Sequence, residues 1–316
     1  MAKLILNRML LGVFTLFAVS VLIFVCTEIL PGDVASAVLG QGATPEALVV
    51  FRKELGLDVP APVRFWNWLS AAMQGDLGVA LTNKRVIVDE IAPRLNNTLF
   101  LAVYAALIAI PLAVGLGILA AINEGKFSDK FFNIVTLIAI SMPEFFIAYL
   151  LIIFFGAEFL DWFPSLSTVF PGMPLGERVY LTTLPAITLT LLVAAHMLRM
   201  TRSSVLSVMS SAYIEMAFLK GVKRNRVITR HALPNAAGPI ITVIALNMAY
   251  LIVGAIVIEY VFVYPGLGQL MIDAVSKRDV PVIQACGLIF ALVYVLLNTL
   301  ADVLAILVNP RLRHKR

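Results

Sequence analysis

The chain is poor in charge and in reactive side chains. Only 14% of its 316 residues are Asp, Glu, Lys or Arg, against about 25% in a soluble domain. Hydrophobic residues make up 60%, and mean hydropathy is +0.95. The 24 basic and 19 acidic side chains are too few to cover so apolar an interior, so lipid is the expected solvent. Cysteine is nearly absent. Cys26 and Cys286 each lie in an apolar run, which excludes a disulfide scaffold and CxxC metal spacing. His196, His231 and His314 are scattered, and no HExxH, GxSxG or clustered carboxylate pair occurs. The nearest approach to a P-loop, Gly125-Lys126-Phe127, lacks the hydroxyl residue and has Ala120 in place of the first glycine. The chain is therefore expected to be no enzyme, to hold no metal or cofactor, and to bind no ATP itself.

Six apolar stretches are long enough to cross a bilayer, which takes about 20 residues. They run over 9–30, 98–122, 131–156, 181–199, 237–260 and 281–308. Lys3 and Arg8 precede the first, and Ala35-Ser36-Ala37 has the form of a signal cleavage site. The run from Met9 to Cys26 exceeds the about 7–15 residues of a signal h-region, so a retained first span is expected. Basic residues set the orientation. A cytoplasmic N-terminus places Lys3, Arg8, Lys126, Lys130, Arg199, Arg202, a cluster over 220–230, and Arg311, Arg313, Lys315 and Arg316 inside. Six spans then put both termini in the cytoplasm. The net charge of +5 and pI near 9.3, which in a soluble protein would suggest nucleic acid, become a topology signal, and no nucleic-acid partner is expected.

The long outer segment, 31–97, contains a helical pattern. Thr44-Pro45 reads as N-cap and first position, Leu48, Phe51 and Leu55 recur at helical spacing, and Gly56 reads as the stop. No internal repeat is evident, which weakens a carrier built from inverted repeats. In the second stretch Ala105, Ala109, Ala113, Gly117 and Ala121 fall every fourth residue, a face that lets another helix approach closely in lipid.

Ionisable groups within spans are costly. Glu144 follows Pro143 near the middle of the third stretch, where the proline removes a helix hydrogen bond. Two readings stand side by side: a carboxylate on a translocation pathway, or one bonded to a neighbouring helix or protonated. Asp302, Glu28 and Glu259 read as structurally paired or solvated at helix ends. His196 and Arg199 read as facing headgroups or water. An alternative function uses Glu144 and Asp302 as the relay of an ion-gradient-driven carrier or channel.

The most patterned segment is the inner loop, 200–236. Arg202, Lys220, Lys223, Arg224, Arg226 and Arg230 stand against a single acid, Glu215. Tyr213 to Lys220 reads as a short helix closed by Gly221 at the left-handed C′ position. A second helix, from Lys223 to Leu233, is expected to stop at Pro234. Two short helices about a glycine make a knob suited to a groove on a partner.

Glu215-x-Ala217-x3-Gly221, followed by Leu233-Pro234, resembles the EAA loop of binding-protein-dependent ABC importer permeases. Met216 replaces the first of the motif's two alanines, and His231 stands where an aliphatic residue is common. Further segments resemble the dipeptide/oligopeptide/nickel branch. They are Leu30-Pro31-Gly32-Asp33, Glu54-Leu55-Gly56-Leu57-Asp58, Gly75-Asp76-Leu77-Gly78, Asn97-Thr98-Leu99, Arg230-His231-Ala232-Leu233-Pro234-Asn235-Ala236, Glu259-Tyr260-Val261-Phe262, Pro265-Gly266-Leu267-Gly268, Arg278-Asp279-x-Pro281 and Asn309-Pro310-Arg311-Leu312-Arg313. Asn309 replaces a commoner aspartate.

The resemblance implies an all-α polytopic membrane protein with six transmembrane helices, the type I ABC importer permease fold and a cytoplasmic coupling helix, in a bacterial inner membrane. Its parts would be 1–97 (first helix and long periplasmic loop), 98–308 (the core, with the coupling loop 200–236) and 309–316 (a basic cytoplasmic tail). The implied function is half of the translocation pathway for a peptide-like solute. The implied partners are a second permease subunit, two ATP-binding subunits that hold ATP and Mg, an extracytoplasmic substrate-binding protein and membrane lipid. Glu215, Ala217 and Gly221 would couple to an ATPase, and Pro265, Gly266 and Gly268 would lie at the binding-protein face.

Overall fold

Helices account for most of the described backbone, because in lipid each peptide group must find its partner within its own segment. The computed structural model describes residues 2–29, 44–54, 58–157 and 159–308. Leu30-Pro31-Gly32-Asp33, Ala35-Ser36-Ala37, the stop at Gly56 and the basic tail 309–316 lie outside the described residues. Among the described residues the only β-pairing is an isolated bridge between Val79 and Val86.

In chain order the helices are α1 (Ala2–Ile29), α2 (Pro45–Glu54), α3 (Ala61–Met73), α4 (Ile87–Ile122), α5 (Phe127–Ser141), α6 (Glu144–Leu151), α7 (Leu175–Leu181), α8 (Thr183–Met209), α9 (Ala212–Leu219), α10 (Arg224–Val227), α11 (Leu233–Val261), α12 (Leu267–Lys277) and α13 (Val280–Val308). Single π-turns, Ile152–Ala157 and Ile228–Ala232, extend α6 and lead into α11.

Five helical segments, Ile5–Ile29, Ile87–Ile122, Thr183–Met209, Ile228–Val261 and Val280–Leu304, are long and apolar enough to span a membrane. The third apolar stretch is broken at its proline. Phe127–Ser141 and Glu144–Gly156 meet at a bend of 106°, and counted as one broken span they bring the number to six. Pro143 explains the bend: it forces Met142 into an extended conformation (φ −90°, ψ 137°) and ends α5 there. Fifteen residues rise only about 22 Å, short of a hydrocarbon core of about 30 Å.

An expectation from the sequence is corrected next to Gly221. The helix after Gly221 does not stop at Pro234 but runs on into α11. The Leu233 N–H bonds the Ile228 carbonyl five residues back, so the chain is already in π register when it reaches the proline. Pro234 then takes a first-turn position, where its missing N–H costs nothing. The fourth span likewise reaches Met209, ten residues past its expected end.

The core is the pairing of α4 with α8. Ala105, Ala109, Ala113, Gly117 and Ala121 are all buried, so the four-residue spacing is the contact face. A Cβ on Gly117 would stand 2.8 Å from the Leu198 carbonyl and from Thr201 Cβ. The Thr190 hydroxyl donates to the Ala105 carbonyl at 3.2 Å across the same seam. The α11 helix packs on α4, α8 and α13.

The α1 helix runs antiparallel to α13 along its length. Arg8 pairs with Asp302 at 2.9 Å, Gly12 lies against Val295 and Thr299, Gly287 lies against Ile23, and Gln284 Nε2 donates to Thr27 Oγ1 at 2.8 Å. Glu28 is bonded by Arg64 of α3. At the basic end of the bundle Asp129 accepts from Arg202 Nε at 2.6 Å and Nη2 at 2.8 Å, tying α5 to α8.

Candidate functional site

Three separate regions carry the functional candidates. The first is the knob at the basic end. The α9 helix closes with the Gly221 N–H on the Phe218 carbonyl (2.9 Å) and the Val222 N–H on the Ala217 carbonyl (3.2 Å). This pair of bonds requires a left-handed residue at its centre, and Gly221 has φ +76°. Ile214, Val227 and Ala232 form a small buried cluster, with Ala217 and Val222 packed against it. The knob is therefore packed around a small core that the end of α8 completes through Val208 and Met209. Glu215 is exposed, as are Tyr213, Met216, Phe218 and Leu219. Beside this tip is an open recess of about 500 Å³ lined by Lys220, Gly221, Val222, Lys223, Arg226 and His231, none of them acidic.

The second region is the opposite end of α4 and α11. Glu259 is fully buried. Its Oε1 accepts from the Thr98 hydroxyl (2.6 Å), and its Oε2 accepts from the Gly268 N–H (2.7 Å) and the Gln269 N–H (3.3 Å). The same hydroxyl accepts from the Leu267 N–H at 2.8 Å. The turn Pro265-Gly266-Leu267-Gly268 is thus folded around a carboxylate. A Cβ on Gly266 would collide with the Glu259 carboxyl group, and one on Gly268 would stand 2.5 Å from Ile256 Cα. Asn97 reinforces the turn: its Nδ2 donates to the Pro265 carbonyl, its Oδ1 accepts from Arg178, and its carbonyl accepts from the Tyr264 hydroxyl at 2.8 Å. Burial pushes the Tyr264 hydroxyl up to about 12, with the nearby Arg178 charge opposing the shift.

Next to this turn the strand-like corner 79–86 is held by Asp279, whose Oδ2 accepts from the Thr82 N–H and hydroxyl, both at 2.9 Å. Glu90, Arg94, Asp273, Lys277 and Asp279 line a small recess there of about 110 Å³.

The third region is the bend. Glu144 opens α6 and accepts from the Tyr250 hydroxyl of α11 at 2.9 Å. Asp302, the other half of the carrier alternative, is held by Arg8. Among the described residues no contact brings these two carboxylates together, so the geometry offers no relay between them.

Glu215, Ala217 and Gly221 therefore lie on one compact knob. Gly266 and Gly268 are buried around Glu259, and Glu144, bonded by Tyr250, lies apart from both at the bend. Sequence reasoning missed Tyr250, Thr98 and Asp129 as partners. Of these, Tyr250 alone is a polar residue within a long apolar run, and Thr98 and Asp129 stand beside other polar residues.

The chain belongs to the family described as binding-protein-dependent transport system inner membrane component, which matches residues 113–314, with the corresponding N-terminal region matching residues 1–102. It is thus a multi-pass permease subunit of an ABC importer, not an enzyme. Among curated proteins it is similar to the glutathione transport system permease protein GsiC of Escherichia coli strain K12 and to that of Shigella dysenteriae serotype 1. Each is 38% identical over 315 residues, covering 100% of both chains. GsiC of Shigella flexneri serotype 5b is similar to the same extent. Membership of a binding-protein-dependent family disfavours the ion-gradient carrier.

Proposed function

We propose that the chain forms one half of the translocation pathway of an ATP-driven importer, paired with a second permease subunit. Its solute is peptide-like, of the kind glutathione represents, and is handed over by an extracytoplasmic binding protein at the end that carries Pro265, Gly266 and Gly268. Both termini and the knob lie in the cytoplasm. Two ATP-binding subunits hold ATP and Mg, and one of them receives Glu215, Ala217 and Gly221. Glu144 stands on the pathway.

The observation that carries this reading is the compact knob packed on the end of α8. Its exposed apolar tip and basic recess suit a groove with an apolar floor and an acidic rim. Its two ends continue into α8 and α11, the helices packed at the centre of the bundle. A push on the knob therefore reaches those helices directly, and the energy of ATP hydrolysis shifts the population between the two accessible faces.

The test is Gly221→Val. A Cβ at this position would meet no atom of the described residues within 4 Å, so the cost is backbone strain alone, about 1–2 kcal/mol for a left-handed residue. The expected result is loss of co-purifying ATPase subunit and of ATP-driven glutathione uptake in vesicles, with Gly221→Asn retaining most of both. Undiminished uptake by an intact complex would refute the coupling role.

A further inference from the structure

Membrane-embedded carboxylates need a partner, and here the partners differ in kind. Asp129 meets Arg202, Asp302 meets Arg8, and Glu28 meets Arg64. Glu259 is enclosed by three donors, one hydroxyl and two backbone N–H groups. Glu144 is different. Among the described residues its bond is to a neutral hydroxyl, that of Tyr250, and no cation pairs with it. It also stands in the first turn of α6, where the positive end of the helix dipole attracts a negative side chain.

Position adds to this. The 15 residues of α5 rise about 22 Å from the basic end to the bend, and Tyr250 lies eleven residues, about 16 Å, before the end of α11. With α5 and α11 upright in the bilayer, both groups would lie well inside a hydrocarbon core of about 30 Å. Yet neither is enclosed: Tyr250 is 45% exposed and Glu144 is half-buried. On α11, Leu246, Tyr250, Val253, Val257 and Tyr260 recur at spacings of four and three and are all exposed, an uncovered stripe on a helix otherwise packed on α4, α8 and α13. Lipid accepts the leucine, valines and tyrosines of such a stripe but rejects an uncompensated carboxylate. A carboxylate on this stripe fits a polar path or a partner's surface rather than lipid.

We infer that Glu144 and Tyr250 form a cation-accepting station on the translocation face, which takes the ammonium group of the solute as it crosses. Tyr250 orients the carboxylate through its hydroxyl and offers its ring face to the same cation. The inference rests on the importer reading and names the chemistry of its pathway.

The experiment uses the full transporter in proteoliposomes, with this chain carrying Cys26→Ser and Cys286→Ala. A single cysteine is introduced as Tyr250→Cys or, to keep the tyrosine, as Val253→Cys one turn along. Labelling of this chain by the trimethylammonium-ethyl and sulfonato-ethyl methanethiosulfonates is followed by mass. Both reagents should react at both positions, the cationic one about tenfold faster relative to its rate on a free thiol, as expected for one unit charge at contact range in a medium between water and protein. In the Val253→Cys chain, adding Glu144→Gln should remove that preference. No labelling by either reagent, equal relative rates, or a preference that survives Glu144→Gln overturns the inference. Labelling needs neither ATP nor a solute. A failure here with ATP-driven uptake by the same transporter intact therefore rejects the station alone, whereas absence of ATP-driven uptake by the unsubstituted transporter would reject the proposed function.

Discussion

Arg202 grips Asp129 with two parallel bonds, Nε at 2.6 Å and Nη2 at 2.8 Å, so that one guanidinium fixes the position of α5 against α8. The carboxylate is completed by the Gly125 N–H and by Asn133, so all of its bonding capacity is used.

Breaking this pair from one side should be costly, because it leaves a partly buried charge without its partner. Asp129→Asn is expected to destabilise by about 1–3 kcal/mol, and Arg202→Lys by less, since an ammonium cannot reproduce the planar fork. Thermal unfolding of the purified complex in detergent measures both, and the double variant should recover part of the loss.

Gly117 and Gly115 make a matched comparison on one helix. A side chain at 117 would run into the Leu198 carbonyl and Thr201, whereas nothing among the described residues lies within 4 Å of a Cβ at 115. Gly117→Leu should prevent assembly of folded protein, seen as loss of the monodisperse peak on size exclusion. Gly115→Ala should leave assembly intact and gain up to about 1 kcal/mol from helix propensity.

The carboxylate of Glu259 is read as an all-acceptor group. Glu259→Gln keeps an acceptor for Thr98 but sets an amide donor against the Gly268 N–H. The expected loss is about 1–3 kcal/mol for the stranded donor, visible as a lower melting temperature. Thr98→Val should cost a similar amount by a different route, leaving both the Leu267 N–H and Glu259 Oε1 unpaired.

Tyr264 gives an alkaline signature. Its hydroxyl ionises at about 12 in the folded protein, against about 10 in an unfolded chain. Above pH 10 the unfolded state binds fewer protons than the folded one, so stability falls as pH rises from about 10 towards 12. Tyr264→Phe should cost about 1 kcal/mol at neutral pH by leaving the Asn97 carbonyl without its donor. The gap between the two proteins should then narrow or reverse by about pH 11, as read from melting temperatures across the range.

Features set by local periodicity were legible in the sequence. The four-residue alanine and glycine spacing of α4 is its contact face, and Gly221 has the left-handed backbone that closing α9 demands. Features set by register or by distance were not. Pro143 was visible, but hydropathy carries no direction, so two helices meeting at 106° read as one span. Passage through Pro234 depends on a bond from the Leu233 N–H to the Ile228 carbonyl, which no local composition announces. Thr98 and Glu259 are 161 residues apart, and Asp129 and Arg202 are 73 apart, so each site needed the folded chain before its partners could be named.

The antiparallel seam between α1 and α13 has a consequence for biogenesis. The first of these spans to leave the ribosome has as its principal neighbour the last, and during synthesis the N-terminal segments emerge and begin to fold first. Between those events α1 must reside in the bilayer without α13, with Arg8 waiting at the membrane surface for Asp302 and Thr27 for Gln284. Closure of the bundle therefore waits for the last span to be made, and a chain truncated before Val280 would leave its first helix without its mate.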